Sequence, residues 1–324
     1  MKLVRLLIIC IAALLVLASP ATSVGSAEAG VADGVTDEVT GGELTGDASP
    51  SQSDPESPRF PGEQQMLALA AAYPSVIREV RVKDGEWALL IDDWYYWADG
   101  RLLPDDLRAQ ADDYVGIRFY NYELGAVQKQ IEVPPEREAV LRQRTAAVTS
   151  DSDEGLRFND FLDTLYDVSS LAEAERTMQS VEFLGKWIRV HPFMVAPLEH
   201  VEAQIRKSML DDPRVKSYVA GLDSVHAYNW RNIAGTMRRS YHSYGVAIDL
   251  VPASYGGKWA YWLWAAESGV DEWWKLPLSE RVSVPQAVID AFESEGFVWG
   301  GKWLFFDNLH FEFRPESISL AREN

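Results

Sequence analysis

Apolar residues in the second half of the chain alternate between helix-type and strand-type patterns. Residues 158–165 and 197–209 carry large apolar side chains at three- and four-residue intervals, which predicts amphipathic helices, the second opened by Pro197. Residues 187–190 and 246–250 are short runs of the length and composition typical of strands. Helices mixed with short strands predict an α+β domain with a small antiparallel sheet and flanking helices, which we place at residues 156–324.

Residues 59–155 have a different pattern, which predicts an accessory domain that precedes the α+β domain. Residues 87–91 and 94–97 are aromatic and aliphatic runs typical of strands, and Asp99-Gly100 marks a turn after them. No chemical motif occurs in this region, so its aromatic side chains are interpreted as core. The accessory domain is also a candidate for docking a protein partner.

The first 58 residues have the composition of a secretory leader followed by a linker. A basic start precedes an apolar run over residues 6–17 and small residues follow, which predicts a signal peptide at 1–21, with Ala27 as the alternative end. Residues 22–58 hold eight acidic residues and no Lys or Arg, and are predicted to be a disordered acidic linker. We therefore expect export to the periplasm or cell envelope, with secretion as the alternative.

The formal net charge of −19 and the single cysteine narrow the function classes. Nucleic-acid binding rests on basic patches, so the charge argues against that class. The acidic balance also favours the periplasm, and the apolar run is too short to make an integral membrane protein after signal cleavage. Cys10 lies in the predicted signal, so any metal site of the mature chain must use His, Asp and Glu. A lipid anchor at Cys10 is disfavoured by the bulky Ile9 before it.

Two short segments, residues 240–250 and 307–313, combine histidine and aspartate with strand-type runs. In the first segment Asp249 is a carboxylate in an apolar run, which is costly unless it is paired or binds a metal. In the second, strand alternation places His310 on the polar face, opposite two Phe side chains. Two imidazoles and one carboxylate are the ligand set of a catalytic zinc, with a fourth position left for water. Asp307 adds a second carboxylate three residues before His310.

These segments resemble the motifs of a known family of zinc peptidases. Ser-x-His-x-x-Gly-x-Ala-x-Asp at 240–249 and Asp-x-x-His-Phe-Glu at 307–312 are similar to those of the D-alanyl-D-alanine carboxypeptidase and L-alanyl-D-glutamate endopeptidase family, which shares its fold with lysostaphin-type enzymes and the hedgehog signalling domain. Residues 296–303 resemble the family's approach to its last zinc ligand. Arg231, followed by Gly235-Thr236, resembles its arginine-bearing segment. The resemblance covers residues 180–316.

The resemblance implies a role for each of these residues. The ligands of one Zn²⁺ ion per chain would be His242, Asp249 and His310. Asp307 would be the general base, and Arg231 would bind a substrate carboxylate through its guanidinium fork. Ser240 would support His242 or the substrate, and Glu312 is expected to lie beside the ligands without being one of them.

The implied function is hydrolysis of peptide bonds in peptidoglycan stem peptides by a zinc-activated water. D,D-carboxypeptidase, crosslink endopeptidase and L-alanyl-D-glutamate endopeptidase activities all fit, and the segment 299–301 favours an endopeptidase. Some relatives carry Glu where Asp307 stands, so the base is one methylene shorter here. The alternative is a catalytically silent, zinc-stabilised binding module of the cell envelope, which the intact Asp307 disfavours.

Competing interpretations of individual residues explain less of the sequence. Asp249 could pair with Arg238 or Arg239, but then His242 and His310 have no role. The G-x-x-x-x-G-K spacing at 296–302 lacks the Ser or Thr that a nucleotide-binding loop needs, and an exported protein meets no cytosolic ATP. The other histidines are interpreted as structural or surface residues: His191, His200 and His226.

Overall fold

The computed structural model describes residues 60–149, 157–234 and 236–323, and these fall in one compact unit. The predicted signal peptide at 1–21, the linker at 22–58 and the predicted domain boundary at 155/156 lie outside the described residues. The division into an accessory and a peptidase domain therefore stays a prediction. None of the helices in the described ranges is long and apolar enough to cross a membrane.

The described strands form three antiparallel sheets, and helices pack around them, so the predicted α+β class is confirmed. The strands are β1 Glu79–Lys83, β2 Glu86–Leu90, β3 Trp94–Tyr96, β4 Gln179–Phe183, β5 Lys186–Val190, β6 Leu222–His226, β7 Ala247–Pro252, β8 Phe297–Trp299 and β9 His310–Phe313. The α-helices are α1 Glu63–Ala72, α2 Pro135–Thr149, α3 Asp160–Tyr166, α4 Leu171–Thr177, α5 Pro192–Asp211, α6 Pro213–Ala220, α7 Trp262–Glu267, α8 Gln286–Ser294 and α9 Pro315–Glu323.

The largest of these sheets has the strand order β6-β7-β9-β8 and carries both motif segments. Asp249 in β7 is paired in register with His226 of β6 on one side and with His310 of β9 on the other. Directly opposed residues of an antiparallel pair project from the same face with their Cβ atoms about 5 Å apart. The register alone therefore brings Asp249 and His310 together, although 61 positions separate them in sequence.

The opposite face of β9 is held against α8 by aromatic packing. The rings of Phe311 and Phe292 are stacked with centroids 4.0 Å apart, and Phe297 meets both Phe292 and Phe313 edge-on. Burial of one such ring contributes about 2 kcal/mol. A one-residue slip of β9 would exchange these rings for charged side chains, so the packing fixes the register.

Helix α5 begins five residues earlier than the sequence pattern suggests. His191 is its N-cap, its Nδ1 accepting a hydrogen bond from the backbone N–H of Phe193, and Pro192 occupies the first turn. Pro197 lies inside the helix, so the expectation that it opens α5 is wrong. The capping imidazole accepts one of the unpaired backbone N–H groups of the first turn, and the proline has no N–H to be paired, so the helix can start earlier.

The first residues that the structure describes, in and after α1, pack into the same hydrophobic core as the large sheet. Met66, Leu69 and Tyr73 of this region are buried in one cluster with Tyr166, and the partly buried Phe193 packs against it. The Tyr73 ring meets Tyr166 edge-on at 6.1 Å, and the two hydroxyls are 3.2 Å apart. Separation of this layer from the rest would expose a large apolar surface.

Acid is predicted to destabilise the fold through His191. Burial lowers the pKa of His191 to about 4 from its ordinary value of 6.5, so the unfolded chain takes up the proton first as pH falls. The free energy of unfolding should be full above pH 6.5 and should lose about 3 kcal/mol through this group on the way down to pH 4. The measurement is urea unfolding of the chelator-treated protein across this range.

His191→Asn is the matched control, because an Asn oxygen can still cap α5 but does not titrate. The difference in unfolding free energy between wild type and His191→Asn should shrink as pH falls from 7 to 4. A difference that stays constant over that range would contradict the assignment.

Candidate metal centre

His242 is positioned by a tight turn in front of β7. The 3₁₀ turn Tyr241–Tyr244 is capped by Ser240, whose Oγ accepts from the backbone N–H of His242 at 3.3 Å. The turn ends at Gly245, which has a φ of +65°, and a Cβ there would lie 2.2 Å from the sulfur of Met178. Only glycine fits this position, both for its φ and for its space.

A hydrogen bond from Nδ1 fixes the orientation of the His242 ring. Nδ1–H donates to the carbonyl oxygen of Ala227 at 2.5 Å, so Nε2 is the nitrogen that faces Asp249 and His310. His242 is buried, with 2% of its surface exposed. An imidazole whose second nitrogen is hydrogen-bonded to a carbonyl oxygen is held in a fixed orientation, as metal-binding histidines are.

The structure brings together the three residues that were predicted as ligands. His242 Nε2 lies 3.3 Å from Asp249 Oδ2 and 3.3 Å from His310 Nδ1, and His310 Nδ1 lies 2.8 Å from Asp249 Oδ1. One donor atom of each residue lies within 4.8 Å of the others, so the group could hold a metal ion. The assignment of the three as ligands stays a prediction.

His310 is held from behind by Glu312 in the same strand. Its Nε2–H donates to Glu312 Oε1 at 3.2 Å, so Nδ1 is the nitrogen that faces Asp249 and His242. Burial opposes the charged forms of Asp249 and His310, but the attraction of neighbouring opposite charges and the hydrogen bonds together outweigh it. The pKa of Asp249 is held well below its usual range by the two imidazoles, and the pKa of His310 is raised well above its own by the two carboxylates.

This donor set fits a zinc ion. Two imidazole nitrogens and a carboxylate oxygen match the ligands of catalytic zinc sites. The second nitrogen of each imidazole is hydrogen-bonded to an oxygen, as is usual for metal-binding histidines. The negative charges of the two carboxylates beside His310 also favour a positive charge at this position, which a metal cation can supply.

Asp307 lies on the loop that leads into β9. Its backbone N–H donates to the Gly300 carbonyl at 3.0 Å, and its Oδ1 accepts from the backbone N–H of Leu309 at 3.2 Å. Burial raises the pKa of Asp307 to about 7, against the opposing field of His310. A carboxylate with a pKa near neutrality can both accept and return a proton, which is the property of a general base.

The two predicted substrate-binding residues, Arg231 and Ser240, lie in different environments. Arg231 is exposed, and its positive charge slightly opposes the rise in the pKa of Asp307. Ser240 is buried, with 5% exposed, and its hydroxyl faces the backbone of His242. Of the two alternatives for Ser240, this geometry favours support of His242, and direct contact with substrate stays a prediction for both residues.

Two tyrosines near the site were not identified from the sequence. Tyr261 forms a backbone bridge with Asp307. The pKa values of Tyr255 and Tyr261 are raised by burial and then by the charge of Asp307. Both tyrosines meet the partly exposed Trp264 edge-on, at 5.7 and 5.9 Å. Because aromatic residues in this region also suit a hydrophobic core, composition alone could not single them out.

Comparison with known proteins gives two matches along the chain. Residues 234–313 match a family model described as D-alanyl-D-alanine carboxypeptidase, and this supports a peptidase. The stretch includes His242, Asp249, Asp307 and His310. Residues 65–119 match a family model described as a domain of unknown function. No solved structure matches the chain.

Replacement of any one of the three clustered residues by alanine should abolish stoichiometric zinc binding. Loss of a residue that only supports a ligand already costs 10- to 100-fold in metal affinity, so His242→Ala, Asp249→Ala and His310→Ala should each cost roughly 100-fold or more. Competition with a chromophoric chelator measures this affinity. His200→Ala is the control, because that side chain is 66% exposed on α5 and should leave zinc binding unchanged. Equal zinc affinity in the wild type and all four variants would disprove the site.

Proposed function

We propose that the protein is a zinc-dependent peptidase that hydrolyses peptide bonds in the stem peptides of bacterial peptidoglycan. The observation that carries the proposal is the His242–Asp249–His310 cluster with Asp307 beside it, inside a stretch that matches a D-alanyl-D-alanine carboxypeptidase family model. Its sequence and charge favour an exported protein that acts in the periplasm or cell envelope.

A zinc ion in this cluster would supply Lewis-acid chemistry, because it lowers the pKa of water to about 7 and polarises a carbonyl. Asp307 then accepts the proton of the attacking water and returns it to the leaving amine. Its pKa of about 7 suits both steps at neutral pH. Glu312 and the Ala227 carbonyl keep the rings of His310 and His242 in their orientations throughout.

Arg231 supplies the positive charge for substrate recognition. Stem peptides end in carboxylates, and an exposed guanidinium at the rim of the site can bind one of them through two parallel hydrogen bonds. Within the carboxypeptidase and endopeptidase types, an endopeptidase is favoured by the segment Trp299-Gly300-Gly301, which leads to the Asp307 loop. The alternative, a catalytically silent binding module, is separated from the enzyme by the experiment that follows.

Asp307→Asn should abolish cleavage while zinc stays bound. The amide keeps the size of the side chain but cannot take up a proton, so kcat should fall by about 100- to 10,000-fold. Purified muropeptides are digested by wild type and variant with one equivalent of zinc, and the fragments are identified by mass spectrometry. The mass lost in the wild-type digest identifies the bond. Zinc bound to both proteins without cleavage by either would support the binding module instead.

Arg231→Ala should weaken substrate binding more than turnover. A hydrogen bond to a charged group contributes about 1.5–3 kcal/mol, so kcat/KM should fall roughly 10- to 100-fold, mainly through KM. Arg231→Lys should recover part of this loss, because the charge returns without the fork. The matched control is a substrate amidated at its C-terminal carboxylate, which should be cleaved equally by wild type and Arg231→Ala. An equal loss with both substrates would refute carboxylate recognition by Arg231.

A further inference from the structure

A connecting segment without regular secondary structure, residues 115–134, joins the 3₁₀ stretch Asp105–Asp113 to α2 and contacts the loop before β9. Tyr122 donates to Glu293 Oε1 at 2.6 Å and accepts from the backbone N–H of Trp299 at 2.9 Å. Lys302 donates to the Glu123 carbonyl at 2.7 Å. The connecting segment is thus fixed to residues that lie more than 150 positions later in the chain.

Tyr120, in the connecting segment, contacts Glu312 beside the cluster of His242, Asp249 and His310. Its hydroxyl donates to Glu312 Oε2 at 3.2 Å, and the other oxygen of the same carboxylate accepts from His310 Nε2 at 3.2 Å. Its ring is stacked on Trp303, with centroids 4.7 Å apart and planes 6° apart. Trp303 in turn meets the His310 ring at 5.7 Å. Two routes of contact therefore lead from Tyr120 to one imidazole.

We propose that Tyr120 is a positioning residue of the metal site, which holds Glu312 so that the His310 ring presents Nδ1 to the metal. The proposal rests on the zinc site of the proposed function. Tyr120 lies outside both stretches that match family models, at 65–119 and 234–313.

The carboxylate of Glu312 needs the Tyr120 hydroxyl because His310 and Arg314 attract it from opposite sides. Arg314 lies 3.6 Å from Glu312 Oε2, on the side away from His310. Without the Tyr120 hydroxyl, Glu312 can turn toward the guanidinium and lengthen its bond to His310 Nε2. A donor on Oε2 fixes the carboxylate plane and leaves Oε1 for the imidazole.

The test is the zinc affinity of the full chain, measured by chelator competition at pH 7.5. Tyr120→Phe removes the hydroxyl and keeps the stacking on Trp303, and should weaken zinc binding roughly 10-fold, the lower end of the range for residues that support a ligand. Tyr122→Phe is the matched control, because it removes the same kind of bond from the same segment, to Glu293, which does not touch a predicted ligand. Tyr122→Phe should leave zinc affinity unchanged even where it lowers the melting temperature.

A double-mutant cycle distinguishes positioning from general loosening of the fold. Glu312→Gln should weaken zinc binding roughly 10- to 100-fold, and in that background Tyr120→Phe should add less than about 2-fold, because its path to His310 is already broken. Equal zinc affinity in wild type and Tyr120→Phe, or additive losses in the cycle, would overturn the proposal while the proposed function stands. A wild type that takes up no zinc would overturn the proposed function and the positioning role together.

Discussion

A row of alternating charges that runs from β7 across β9 to the start of α9 is the constraint on which the site depends. Asp249, His310, Glu312, Arg314 and Glu316 follow one another with opposite signs, and all but Asp249 are at most 9% exposed. Isolated buried charges are very costly, whereas pairs with complete hydrogen bonding are tolerated. Each member therefore depends on its neighbours, and removal of one leaves the next uncompensated. The row fixes the orientation of His310 before any metal is considered.

The fold supplies this row with partners from distant parts of the described chain. Arg314 donates to the Tyr241 hydroxyl at 3.1 Å, in the turn that also carries His242, and to the Arg118 carbonyl at 2.6 Å. Tyr73 donates to Glu316 at 3.4 Å, as Tyr120 does to Glu312. The aromatic packing of Phe311 on the other face of β9 holds the strand in the register that these bonds require. Apolar packing and polar pairing thus specify the same arrangement.

The sequence was informative where the pattern was local. Strand alternation in β9 correctly separated His310 from Phe311, and the cost of a lone carboxylate pointed to Asp249. Local patterns were insufficient where the deciding partner is distant. The connecting segment has no regular secondary structure, and the partner of Tyr120 is 192 positions away. The start of α5 was missed because an N-cap histidine is uncommon and a proline inside a helix normally marks its beginning.

The extent of the charge row indicates which part of the chain the candidate site needs. The stretch that matches the peptidase family model ends at residue 313 and contains the clustered residues, but not the groups that complete their surroundings. Arg314 and Glu316 follow it, and Tyr73 and Tyr120 precede it by more than a hundred positions. A chain reduced to the matched stretch would keep the two imidazoles and lose the donors that orient Glu312. In energetic terms the candidate metal centre therefore belongs to the whole described unit, which includes Tyr73 and Tyr120.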